Sequence, residues 1–170
     1  MDYREIVTEL VSKTHSYGER DRAIAEIQSL PKEEVLKILI ELVNNSNASL
    51  ACDAAGMVVQ LAPHQAVDLI LPLLGHEEPN VRWCVCGLLM NCGDHRATEA
   101  LITVLLHDPA AHVRLVAANT LEQIKDPASL PALQHAVQND KGENWEGRTF
   151  ADAARKAIER ITLPPKRLWS

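Results

Sequence analysis

Apolar residues recur along this chain at steps of three and four, in short runs punctuated by Pro, Asn, Asp and Gly. Ile6, Val7, Leu10 and Val11 share one face of a helix predicted over 2–14. Gly18 is expected to break it, and residues 20–30 form a second helix with Ala23, Ile24 and Ile27 on one face. Pro31-Lys32-Glu33-Glu34 has the form of a helix start, because proline loses nothing in the first turn and acids suit the positive end of the helix dipole. Val35, Leu36, Leu39, Ile40, Leu42 and Val43 follow, as far as Asn44-Asn45. Further helices are predicted over 49–62, 63–75, 80–92, 95–106, 112–124 and 128–138. A last one carries Phe150, Ala154, Ile158 and Ile161 and is stopped by Pro164-Pro165.

The pattern repeats. Val81 to Val113, Arg82 to Arg114, Leu89 to Leu121, Asp94 to Asp126 and Leu101 to Leu133 are each 32 positions. Leu50, Ala54, Val58 and Leu61 anticipate Val81, Val85, Leu89 and Cys92 at a spacing of 31. A fixed period of this size predicts helix pairs stacked side by side, since one pair cannot bury its apolar face alone. After Asp140 the register slips: Lys141 to Gly147 is polar and carries two glycines, so an inserted loop is expected, and the pattern resumes at a spacing of 37. The expected organisation is one repeat domain over 1–163, with repeats at about 15–45, 46–76, 77–108, 109–140 and 141–163, and a tail at 164–170.

Composition narrows the function. Of 170 residues 46% are hydrophobic but only 4% aromatic, so Leu, Ala, Val and Ile must carry the core. The most apolar window, 66–74, is interrupted by Asp68 and Pro72 and falls short of the roughly 20 residues a membrane span needs. Neither a secretory signal nor a membrane partner is expected, and a cytoplasmic setting suits four cysteines lying in apolar helical stretches. Net charge is −6, with 13 acids and 7 bases in residues 1–85 against 10 of each in 86–170. No basic residue lies between Lys37 and Arg82. That argues against nucleic acid, which is held largely by Lys and Arg, and for a protein partner with a basic face. An acidic balance also serves solubility.

No enzyme motif emerges. The glycines build no phosphate-cradling loop, no His-Glu-x-x-His occurs, and no cysteine pair has zinc-finger spacing. Cys84 and Cys86 point to different faces of one helix. His64 and His95 occupy one repeat position, and His76 and His107 are read as another. Equivalent positions in adjacent repeats lie roughly 10 Å apart, too far for a shared metal. No catalytic residue, metal or cofactor is expected.

These repeats resemble HEAT repeats, in particular the short bacterial kind also found in phycobilin lyase subunits. The likeness covers residues 46–140 well and 20–45 and 148–161 loosely. It implies an all-α fold, a right-handed α-α superhelix of about five antiparallel helix pairs. It also implies an Asp–Arg ladder through the loops, with the Asp six positions before the Arg, as Asp108 and Arg114 are. Arg82 stands five after Glu77, and Asp140 leads into the insertion, so the ladder is partial. In such a stack the second helix of each pair, the B helix, lines a groove. Positions 66, 69, 70, 73, 74 and 97, 100, 101, 104, 105 should face the core. That leaves Asp68, Leu71, Pro72 and Gly75, then Glu99, Ile102, Thr103 and Leu106, then Gln134, His135 and Gln138 for a partner. Trp145 in the inserted loop, and Trp83, are candidate anchors. The expected function is a non-catalytic protein-binding module, with a toxin-neutralising immunity protein as one version. The resemblance also implies a rival, a bilin lyase or its subunit acting on a tetrapyrrole. A HEAT-like DNA glycosylase would need a basic groove that residues 38–81 do not supply.

Overall fold

The computed structural model describes residues 2–13, 17–139 and 149–163, and every element in it is a helix. The chain divides into two compact units, residues 1–88 and 89–170.

In the first unit, α1 (Tyr3–Ser12) is capped by Asp2, whose carboxylate accepts the Arg4 amide at 3.0 Å. The next helix, α2 (Tyr17–Ile27), starts earlier than expected, so Gly18 sits inside its first turn rather than breaking it. Glycine's cost in a helix is the backbone freedom it gives up, and that cost is felt most in a helix interior rather than in a first turn. Pro31 stands at the N-cap position of α3 (Lys32–Val43) without a side-chain hydrogen bond, whereas Asn47 caps α4 (Ala48–Leu61) by accepting the amides of Ser49 and Leu50. The helix expected over 63–75 is two pieces. The first, α5 (Pro63–Ile70), gives way to a 3-10 turn over Leu71–Gly75 because Pro72 has no amide to donate and its ring crowds the preceding turn. A sixth helix, α6 (Pro79–Cys92), crosses the division between the units. Val7, Val11, Leu39, Met57 and Ile70 are buried here, and Ala51, Ala54, Ala55 and Gly56 let α3 and α5 approach α4 closely.

The second unit is built on α8 (Ala111–Ile124), against which α7 (Thr98–His107) and α10 (Phe150–Thr162) pack, with α9 (Leu130–Asn139) against α7 and α10. Leu101, Leu105, Val113, Leu121, Leu133, Phe150 and Ala154 form its core, each worth roughly 1.5–3 kcal/mol if a full-sized aliphatic or aromatic side chain. Both B helices open with a 3-10 turn, His95–Ala97 and Pro127–Ser129, where Asp94 and Asp126 accept the amides of Arg96 and Ala128 at 2.9 and 3.0 Å. The preceding helices end alike. Gly93 (φ +61°) closes α6 and Lys125 (φ +57°) closes α8, both left-handed, their amides donating to Leu89 and Leu121. Of the positions expected to face inward, 66, 70, 73, 74, 97, 101, 104 and 105 are buried, and 69 and 100 are half-buried.

Candidate partner-binding face

Helical periodicity decides what is left outside. In the first unit Asp68, Pro72 and Gly75 are exposed and Leu71 is half-buried, all on α5 and the turn after it. Trp83, on α6, is 52% exposed, an unusual position for so large a ring. In the second unit Glu99 and Thr103 are exposed on α7, with Ile102 and Leu106 half-buried beside them. Thr103 turns its hydroxyl back to donate to the Glu99 carbonyl at 3.2 Å. Gln134, His135 and Gln138 are exposed on α9. Trp145 lies outside the described residues.

Two of the expected residues meet. A cavity of about 300 Å³ is lined by Leu105, Leu106, His107, Asp108, Arg114, His135, Ala136 and Asn139. It brings Leu106 and His135 together toward the C-terminal ends of α7 and α9, with Asp108 and Arg114 also in its lining. His107 was read from the sequence only as a repeat-position histidine and Asn139 was not offered as a site residue, because only the meeting of two helix ends makes them neighbours.

The arginines work through backbone. Arg114 donates from Nη1 to the carbonyls of Asp108 and Pro109 at 2.8 and 3.3 Å, and Arg82 to those of His76 and Glu77 at 2.7 and 2.9 Å. Both therefore reach the residues six and five positions before them. That register pairs His76 with Asp108, not with His107 as the spacing of 31 suggested. The two side chains also act alike: Asp108 accepts the Ala110 amide at 2.9 Å, and His76 Nδ1 accepts the Glu78 amide at 3.0 Å. Arg114 also lies 5.8 Å over the Phe150 ring.

A second link joins consecutive helix-pair turns. His95 Nδ1 is 3.4 Å from Asp126 Oδ2. The Ala128 amide, with the Thr98 hydroxyl and His95 behind it, holds the Asp126 carboxyl below the usual carboxylate range. Asp94 is held down in the same way, chiefly by the Arg96 guanidinium, which it receives at 2.7 Å. Burial, with the Asp94 charge adding to it, pushes the Cys92 thiol up, away from nucleophilic reactivity. Among the described residues no group of three or more His, Cys, Asp or Glu could hold a metal ion, and no helix is long and apolar enough to cross a membrane.

Known proteins agree with this architecture. A family model for HEAT repeats matches residues 37–115, and one for the PBS lyase HEAT-like repeat matches residues 113–139. Two crystal structures of engineered proteins from the Northeast Structural Genomics Consortium share the fold. One is 21% identical with a TM-score of 0.56, covering 92% of this chain and 79% of its own. The other is 19% identical with a TM-score of 0.54, covering 93% and 78%. No curated protein matches.

Proposed function

Because the chain belongs to the HEAT-like repeat family, we propose that it is a non-catalytic module whose B-helix face binds a basic or mixed protein surface. The observation that carries this reading is the make-up of that face. In the first unit Asp68 is exposed with half-buried Leu71 on α5 and the turn after it, in the second Glu99 is exposed with half-buried Ile102 and Leu106 on α7, and no Lys or Arg lies between Lys37 and Arg82. Acids steer a basic partner and the apolar positions give it something to desolvate. The size and acidity suit an inhibitor that masks a basic protein, an immunity protein being one such case. Thr103, Gln134 and Gln138 complete the contact surface, and Trp83 offers an aromatic anchor on a different helix.

A photo-crosslinking residue at Thr103 or Gln134, with the same residue at Gln123 on α8 as control, tests this in cells. Crosslinks to a basic protein from the first two sites, absent at Gln123 and lost on Glu99→Lys, are expected. Equal crosslinking from all three sites overturns it.

The match of residues 113–139 to the PBS lyase HEAT-like repeat favours a second reading, a bilin lyase or lyase subunit. Against it, three cavities among the described residues, of about 180, 300 and 310 Å³, lie near or below the lower end of the ~300–1,000 Å³ that drug-sized ligands occupy, and a tetrapyrrole is larger. Mixing the protein with a bilin and recording an unchanged absorption spectrum disposes of it.

A further inference from the structure

We infer that the cavity where α2, α3 and α4 meet binds a small carboxylic acid whose apolar body is comparable in size to a benzene ring. None of its lining residues belongs to the partner-binding face, so this site stands or falls apart from the function proposed above.

The cavity lies within the first unit, at the end of α2, the start of α3 and the end of α4. Its apolar wall is made by Ile27, Leu30, Val35, Leu36 and Leu61. Ile27 and Val35 are buried, whereas Leu30, Leu36 and Leu61 are half-buried and would be covered by a ligand. Backbone bonds hold the turn that shapes it: the Leu30 amide donates to the Ile27 carbonyl at 3.0 Å, and the Val35 amide to that of Pro31 at 3.1 Å. The volume is about 180 Å³. An apolar cavity of about 150 Å³ is enough to admit benzene, so a six-carbon chain or one ring fits and a large ligand does not.

Charge selects among molecules of that size. The polar part of the lining is Gln28, Lys32 and Gln60, all exposed, and no acid joins them. The site is therefore positive, within a chain of net charge −6 that has no Lys or Arg between Lys37 and Arg82. Among the described residues nothing pairs with the Lys32 ammonium, and neither glutamine side chain has a hydrogen-bond partner. The two acids that follow Lys32 do not cancel it within the cavity. Glu34 is taken up by Lys37 at 2.9 Å, and Glu33 is exposed outside the lining. Pro31 offers α3 no side-chain cap, so the first amides of that helix add to the same sign. A carboxylate meets the ammonium and the two amides while its apolar body lies on the leucines. A neutral molecule gains only the second contact, and a cation is repelled.

The test uses the full chain labelled with nitrogen-15 and three probes of one shape: isocaproate, isocaproamide and isohexylamine. Isocaproate is expected to give saturable shifts at the backbone amides of 27–30, 32–36 and 60–61. Isocaproamide should bind about threefold more weakly, as the loss of one exposed charge contact implies, and isohexylamine not at all. Lys32→Gln, at an exposed position, should bring isocaproate down to the level of isocaproamide and leave isocaproamide unchanged. Leu36→Trp fills the cavity and should abolish both. Equal affinity for acid and amide, no saturable shift, shifts centred elsewhere, or indifference to Lys32→Gln each overturn the site. Tighter binding of a peptide ending in a free leucine than of isocaproate makes the ligand a chain terminus and overturns the small acid.

Discussion

The Glu122 carboxylate on α8 lies 3.1 Å from Nε of Arg160 on α10, with Nζ of Lys156 at 3.2 Å on its other oxygen. Glu122 is 3% exposed, whereas both cations are more than half exposed. A buried charge that loses its partners costs far more than the pair itself supplies. Replacing Lys156 and Arg160 together by Met should therefore lower stability by about 3 kcal/mol. Adding Glu122→Gln to that double variant should recover much of the loss. Urea denaturation at neutral pH reads both, and no recovery would show that α10 is held by its apolar face alone.

Arg114 joins the start of α8 to the turn behind it through two carbonyls, while Lys125 is an exposed residue at the far end of the same helix. Hydrogen bonds from a charged donor contribute about 1.5–3 kcal/mol each when part-buried. Arg114→Ala should lower the melting temperature clearly more than Lys125→Ala. Equal melting temperatures would refute the bridging role.

His76 stands where the next repeat has Asp108, and its Nδ1 accepts the amide two residues on. His76→Asp should then keep the turn and change stability by less than ~0.5 kcal/mol, while His76→Ala leaves the Glu78 amide to water and loses about 1 kcal/mol. Thermal unfolding of the two variants side by side distinguishes a cap from a passive surface histidine.

Asp126 accepts the Ala128 amide and faces Thr98 and His95, which depresses its folded-state pKa below the ordinary value of 3.8. A depressed carboxyl adds stability above its unfolded pKa, and that contribution is lost as pH falls through the lower folded value. Asp126→Ala should therefore melt below the parent at pH 7, with the gap narrowing as pH drops below about 4. A gap that stays constant down to pH 2 would mean the charge on Asp126 is irrelevant.

Lys125 ends α8 in the left-handed region at φ +57°, where the matching turn after α6 has Gly93 at φ +61°. A side chain in that region is strained by roughly 1 kcal/mol, offset in part because glycine frees the unfolded chain. Lys125→Gly should raise stability by a few tenths of a kcal/mol, and a fall in melting temperature would contradict the backbone reading.

Much of the fold was legible in the chain. The 32-residue spacing of Val81, Arg82, Leu89 and Asp94 with their successors foretold helix pairs, and the inward positions of α5 and α7 came out buried or half-buried as expected. Gly18 misled because a glycine's cost depends on where in a helix it falls, and Pro72 was underweighted as a breaker of α5. The ladder was half legible. Spacing located Arg82 and Arg114, but a side-chain pattern cannot reveal that their acceptors are backbone carbonyls, which every residue type supplies.

What the sequence determined by itself was periodicity, and with it the helices, their inward faces and the acidic stretch free of bases from 38 to 81. Those follow from local geometry, because 3.6 residues per turn ties each side chain's direction to its position. What only the tertiary structure decided was company. Glu122 reads like any surface glutamate until α10 folds over it, and Leu106 and His135, 29 positions apart, share a cavity only because α7 and α9 end side by side. Burial and convergence are properties of packed neighbours, and neighbours from different helices leave no mark at any single position of the chain.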